Sequence, residues 1–349
     1  MGNDRELGFA IIGTGAIAGT HADAIGAVEG IRLRAVYNRT EATGRAFAEG
    51  RGVDWEPSLD GILGRDDIDV VCVATASGAH EQVAVPALQN GKHVLCEKPL
   101  EVNVEKVDRI LAAAKANNRI LAAVFQSRMS PHGLLLKTAI EEGRFGRLAL
   151  CSAYIKWWRD QAYYDSGAWR GTWDLDGGGA LMNQSIHYVD LLQWLVGMPD
   201  TVHAFIATRA HEGLEVEDVT CAALRFGNGA LGVIEAATAC YPGYERRIEI
   251  CGDDGSAVLE DNTLAKWEFR EPRPEDIKVL EEESDLKIAG GTSNPMSITS
   301  DGHRLQIIDL VDAIRHGREP RIPGDEGRNA IHLIECIYRS AKSGNPVTV

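Results

Sequence analysis

The chain has 349 residues, with 44% hydrophobic and 25% charged side chains, an ordinary globular balance and enough length for two domains. A net charge of −15 argues against a partner bound through a phosphate backbone, because that mode needs clustered Lys and Arg. No run approaches the roughly 18 apolar residues of a membrane span, and the polar start from Met1 to Glu6 reads as carrying no signal peptide. The seven scattered cysteines form no pair at zinc spacing, so they are expected as reduced thiols of a cytoplasmic protein without a metal.

Up to about Phe125, short β-like runs alternate with helical stretches, the pattern of βαβ units and a parallel sheet. Phe9–Ile12 is a first strand; Ile17, Ala24, Ile25 and Val28 then recur at helical spacing. Leu33–Tyr37 is a second strand and Glu41–Glu49 a helix. Ile68–Ala74 is nearly all apolar, as a strand covered on both faces should be. A helix over His80–Asn90, a strand over His93–Cys96, a helix over Val104–Asn117 and a strand over Ile120–Phe125 follow. The pattern then changes. Helices are expected over Pro131–Glu142 and Leu181–Leu195, then antiparallel strands from Val202 with turns at Gly227-Asn228-Gly229 and Gly252-Asp253-Asp254-Gly255. A late helix covers Asp301–His316. The expected fold class is α/β: a doubly wound Rossmann domain over 1–127, then an α+β domain with a mostly antiparallel open sheet over 128–349. The polar stretch Glu271–Asn294 is expected to be a mobile loop.

Gly13-Thr14-Gly15-Ala16-Ile17-Ala18 fits G-x-G-x-x-G/A between a strand and a helix. The first glycine permits the turn and the second lets backbone approach a pyrophosphate. The small third residue allows close packing, and the helix N-terminus attracts the anion. About 20 residues on, where an acid would bind the ribose hydroxyls of NAD, the chain has Asn38-Arg39. Arg39 favours NADP by facing a 2′-phosphate; Asn38 suits the bare hydroxyl of NAD, so both cofactors stay open. The small turn from Ala74 through Thr75 and Ser77 to His80, and Glu97-Lys98-Pro99 after the next strand, fall on the same edge and are candidate cofactor contacts, as is Gln126. Lys98 is also placed to polarise a substrate oxygen, with Pro99 biasing it to extended backbone.

In the second domain, Gly177-Gly178-Gly179 leads into a helix on which Asn183, His187 and Asp190 share one face. A His among polar groups suits proton transfer near neutral pH. Trp157-Trp158-Arg159, Tyr163-Tyr164 and Trp169-Arg170-Gly171-Thr172-Trp173 hold four of the seven tryptophans. Arg159, Tyr164, Trp169 and Arg170 are candidate contacts to sugar C–H faces and an anionic substituent; a purely structural aromatic cluster is the other reading.

Taken together, the Gly13 turn, Glu97-Lys98-Pro99, Asn183 to His187, Gly252-Asp253-Asp254-Gly255-Ser256-Ala257 and Gly317-Arg318-Glu319-Pro320 resemble the Gfo/Idh/MocA family of sugar and polyol dehydrogenases. The resemblance implies a Rossmann domain, a substrate domain whose open sheet joins a homodimer or homotetramer, and Lys98 and His187 as catalytic lysine and histidine. Many members carry Asp where this chain has Asn183, which leaves His187 as the strong base and Asn183 as a catalytic and substrate-binding position of altered chemistry. Trp169 to Trp173 with Asp176 to Gln184 looks like the branch that oxidises C3 of UDP-linked N-acetylamino-glucuronates. Hydride transfer between a nicotinamide and a sugar, sugar nucleotide or polyol is the expected reaction. Two alternatives stand beside it: a glycoside-cleaving enzyme using transient oxidation, and a non-catalytic NADP-binding redox sensor.

Overall fold

A computed structural model describes residues 5–280 and 299–349. The chain divides into two compact units. One comprises residues 1–124 with 300–328, the other 125–299 with 329–349.

The first unit is built on β1 (Leu7–Ile12), β2 (Ile31–Tyr37), β3 (Asp54–Trp55), β4 (Val70–Val73), β5 (His93–Cys96) and β6 (Leu121–Ala123). They form one parallel sheet in the order 3-2-1-4-5-6, the doubly wound arrangement expected from the alternating pattern. Every residue of β1 and β4 is buried, which explains their unbroken apolar character. Helix Ala16–Gly26 packs against the helix Asp301–His316, and Ile307, Leu310 and Val311 of the latter enter the same core as Phe9, Ile11 and Ile25. The late helix is found where the sequence put it. It belongs to the nucleotide-binding unit, however, whereas the sequence reading keeps all of 128–349 together. Its apolar stripe specifies that it packs, not on what.

The second unit carries β7 (Leu148–Lys156), β8 (Pro199–Ala207), β9 (Val219–Phe226), β10 (Leu231–Ala237), β11 (Arg247–Gly252), β12 (Gly255–Glu260), β13 (Thr263–Phe269) and β14 (Val347–Thr348). The order is 13-12-11-7-10-9-8-14, antiparallel except between β7 and β10. Both glycine turns sit where expected, joining β9 to β10 and β11 to β12. Alternation along β9 leaves one face buried and the other open. Leu150, Phe205 and Leu231 are exposed, and the register puts them on that open face.

Besides short elements such as β3, β14 and the helices Leu59–Leu63 and Gln161–Asp165, three longer ones differ from the sequence reading. β7 lies in a stretch to which that reading gives no element. Helix Gly324–Ser343 is likewise additional, although Ile331, Ile334 and Ile337 repeat at helical spacing and are buried. The expected helix Leu181–Leu195 is split into a π-turn over Ala180–Gln184 and an α-helix over Ile186–Val196. Of the stretch expected to be mobile, residues 281–294 lie outside the described residues. The remainder holds a short helix, Asp276–Val279, whose Asp276 is paired with Arg144 at 2.6 Å and accepts from Trp267 at 2.8 Å. All seven cysteines are free thiols, four of them buried. No helix among the described residues is long and apolar enough to cross a membrane.

Candidate active site

In the first unit the residues singled out from sequence, Gln126 excepted, fall at the carboxyl ends of β1, β2, β4 and β5. Gly13 has φ +96°, its N–H donates to Tyr37 O at 2.9 Å, and a Cβ there would stand 2.5 Å from Ala74 O. Only glycine is unstrained at that point. Gly15 differs: a Cβ there would meet nothing within 4 Å, so no protein atom demands glycine. It caps helix Ala16–Gly26 with extended backbone and no side-chain cap. The amides of the first turn, at Ala16 and Ile17, have no partner within the helix, the arrangement an anion uses, and Ala18 is fully buried. Asn38 accepts from Thr14 N at 3.4 Å and donates to Thr40 O at 3.0 Å and to the Thr43 hydroxyl. Arg39 is exposed.

Two of the expected cofactor contacts turn their side chains into the protein. His80 is buried, with Nδ1 2.9 Å from Pro99 O and Nε2 3.2 Å from Thr75 O, so it joins the turn after β4 to the segment after β5. Burial pushes its pKa down. Glu97 is buried too. Its Oε1 accepts from His21 Nε2 at 2.8 Å and His303 Nε2 at 3.0 Å, and its Oε2 from Lys98 N at 3.1 Å. Burial pushes the Glu97 carboxyl up, but the two ring donors outweigh it and hold it well below its ordinary value. The site therefore has an ionised carboxylate behind a half-buried Lys98. Neither His21 nor His303 is recognisable from sequence, since His303 lies 206 residues from Glu97. Gln126 is the one expected cofactor residue that falls in the second unit.

There the glycine run opens the π-turn. A Cβ on Gly179 would stand 1.7 Å from Glu217 O, so backbone approach excludes any other residue. The Glu217 carboxylate then accepts from Gly179 N at 3.0 Å, Leu181 N at 2.8 Å and Tyr338 Oη at 3.1 Å, fixing the turn that carries Asn183. Burial pushes Glu217 up to about 7, against the pull of those donors. A folded-state value above the ordinary 4.5 means that its stabilisation is complete below 4.5 and is lost as pH rises through 7. The stability of wild type relative to Glu217→Gln is expected to fall by about 3 kcal/mol across that window, from 1.36 kcal/mol per pKa unit, in urea melts at stepped pH. A pH-independent difference would refute this assignment.

His187, one residue into the α-helix, is buried, with Phe125 edge-on at 5.9 Å between ring centroids. Asp190, expected on its polar face, is instead held by Arg128, which donates from Nε and Nη2, each at 2.7 Å, with both side chains buried. Asn183 donates to Asp176, and its Oδ1 accepts from Gln184 Nε2 at 2.6 Å. Gln184 Nε2 also reaches Tyr163 Oη at 2.7 Å, which Arg170 Nη1 approaches as well. Arg170 lies over the rings of Tyr163 and Trp169, and Arg159 over those of Trp157 and Tyr163. Of the expected substrate contacts, Arg159, Trp169, Arg170 and Asn183 are thus brought into one neighbourhood. Tyr164 stands edge-on to Tyr163 in the same neighbourhood, ring centroids 5.1 Å apart, but its hydroxyl is bonded to Thr238 Oγ1 at 2.7 Å. Tyr163, its neighbour, is the connecting residue.

A glycine turn after the first strand of a 3-2-1-4-5-6 parallel sheet defines a dinucleotide-binding domain. Joined in one chain to a sheet unit bearing a buried His and Asn, it marks a nicotinamide-dependent oxidoreductase. Residues 7–125 match the oxidoreductase family with NAD-binding Rossmann fold, and residues 134–258 the GFO/IDH/MocA C-terminal domain. The chain belongs to the Gfo/Idh/MocA family of oxidoreductases. It is similar to the WlbA dehydrogenase of Bordetella pertussis, solved with NADH and UDP-GlcNAcA (TM-score 0.90, 34% identity, 99% of this chain and 98% of that one). The WlbA dehydrogenase of Chromobacterium violaceum, with the same two ligands, gives a TM-score of 0.89 at 33% identity over 99% and 96%. Inositol 2-dehydrogenase 2 of Saccharopolyspora erythraea is 31% identical over 77% of this chain and 78% of its own.

Proposed function

We propose that this chain oxidises a secondary hydroxyl of a sugar nucleotide with NAD, and that a UDP-linked N-acetylamino-uronate is the substrate to test first. The observation that supports this most is the 33–34% identity over 99% of the chain to two dehydrogenases solved with NADH and UDP-GlcNAcA. The residues fit the cofactor: Gly13 to Ile17 offer a turn and free helix amides for a pyrophosphate, with Asn38 for a ribose hydroxyl. Arg39 alone favours NADP; the family description and the NADH complexes of the relatives favour NAD. When bound, NAD supplies the hydride acceptor.

His187 takes the hydroxyl proton, a task suited to an imidazole near neutral pH. Lys98 stabilises the developing oxyanion; Glu97 behind it is ionised and holds the Lys98 N–H. Asn183 hydrogen-bonds the sugar but takes no proton. Arg159 and Arg170, on aromatic faces, suit an anionic substituent. The open face of the second sheet, with Leu150, Phe205 and Leu231, is the surface for a homodimer or homotetramer; a monomer mass in light scattering would count against it.

The test is reduction of NAD and of NADP by UDP-GlcNAcA, myo-inositol and a panel of neutral sugars, followed by NAD(P)H absorbance. Turnover of UDP-GlcNAcA with NAD is expected to exceed the rest. Release of free sugar without net NADH would point to the glycoside-cleaving alternative. No turnover of any polyol would refute the proposal.

A further inference from the structure

Between Asp176 and Arg170 runs a chain of hydrogen bonds whose direction can be worked out from its ends. Asp176 is buried and, when ionised, accepts only; Arg170 donates only. Asp176 Oδ2 accepts from Gly171 N at 2.8 Å, and Oδ1 from Asn183 Nδ2. With its NH₂ turned to Asp176, Asn183 must present its carbonyl oxygen to Gln184, whose Nε2 donates at 2.6 Å. The same nitrogen donates to Tyr163 Oη at 2.7 Å, and Arg170 Nη1 donates to it from the other side. Tyr163 oxygen thus receives two donors, and its own proton is left to be given elsewhere. An amide or a hydroxyl can run in either direction, so none of the three middle members chooses this polarity. The carboxylate does.

We propose that Asp176 is a positioning residue of the reaction: it sets the polarity of the Asn183–Gln184–Tyr163 chain, presenting the Asn183 amide in one orientation one turn before His187 and offering the Tyr163 hydroxyl as a donor to the sugar. This rests on the reading of the site given above. It also gives the Asn183 amide a carboxyl partner: Asp176 stands one hydrogen bond back, in the segment that leads from the aromatic loop to the glycine run. Tyr163 and Asp176 both lie in segments that the sequence singles out, but the sequence alone names neither as a site residue.

Two variants separate positioning from mere structure. Asp176→Asn keeps the shape but removes the acceptor-only end, so the chain can reverse. The double variant Asp176→Asn with Asn183→Asp keeps every bond by exchanging the two groups. The amide now at position 176 accepts from Gly171 and donates to the carboxylate now at position 183, which accepts from Gln184. Only the charge moves, to a position one turn before His187. In the intact enzyme the single variant is expected to lose about 100-fold in kcat, the scale on which small misplacements act, with KM for NAD little changed. The double variant should recover at least about tenfold of that loss, and its pH profile should shift, since a carboxylate near an imidazole raises its pKa. Should the single variant fail to fold, the double variant carries the test through its activity and pH profile. A single variant within about threefold of wild-type kcat, or a double variant with no recovery and an unmoved profile, would overturn the proposal, each being far from the effect that misplacement produces. A wild type inactive on every sugar would overturn the reading of the site instead, and this inference with it.

Discussion

Replacing His187 with Ala, or Lys98 with Met, is expected to lower kcat by about 10²- to 10⁴-fold, the range that a positioned proton-transfer or charge-stabilising group supplies. NADH affinity should stay close to that of wild type, because the glycine turn and the helix amides at Gly13 to Ile17 are untouched. The two residues also differ in what surrounds them. Lys98 follows an ionised Glu97 that is fixed by two buried histidines, whereas His187 is buried next to Phe125 and enters the helix just after the Asn183 turn. Steady-state kinetics beside a fluorescence titration of NADH make the check. Wild-type turnover in both variants would remove the assigned roles.

The largest expected effect on stability comes from Asp190→Ala. Its carboxylate takes two hydrogen bonds of 2.7 Å from Arg128 in a buried pair. Truncation strands a guanidinium out of water, which costs roughly 3–5 kcal/mol, a large share of the 5–15 kcal/mol that holds a typical domain folded. The pair Arg147–Asp253 is a fair control: it also binds at 2.9 Å, but Arg147 is 93% exposed, and such pairs contribute about 0–1 kcal/mol. Urea unfolding should therefore show a deep loss for Asp190→Ala and almost none for Arg147→Ala. Equal losses would mean that burial is not what makes the first pair matter. The same measurement bears on function, since Arg128 and Asp190 anchor the helix that carries His187.

The nucleotide-binding unit was legible because its signals are local. Unbroken apolar runs gave β1 and β4, and the Gly13 turn and Glu97-Lys98-Pro99 lie within a few residues of the strands that place them. The second unit was legible only in part. Its two glycine hairpins join neighbours in sequence, but β7 pairs in parallel with β10 some eighty residues later, and no local pattern encodes that partner. Helix Asp301–His316 shows the same limit, for its stripe was clear and its partner was not. Of the candidate site residues, His187 and Asn183 in the second unit and Lys98 in the first could be named from motifs. The charges that hold them could not: Glu217 reaches the Gly179 turn from 38 residues away, and His303 reaches Glu97 from 206. The π-turn hides a further point, because it breaks the single helical face on which Asn183, His187 and Asp190 were expected to lie and leaves Asn183 to Asp176 and Asp190 to Arg128.

Hydride transfer from sugar carbon to NAD is the claim on which the other assignments depend, and isotope tracing tests it most directly. UDP-GlcNAcA bearing deuterium on its ring carbons would be incubated with the enzyme and NAD, and the recovered dinucleotide weighed by mass spectrometry. Deuterium on the reduced nicotinamide, in step with oxidised sugar, is the predicted result. Sugar consumed while the dinucleotide gains no deuterium would contradict it.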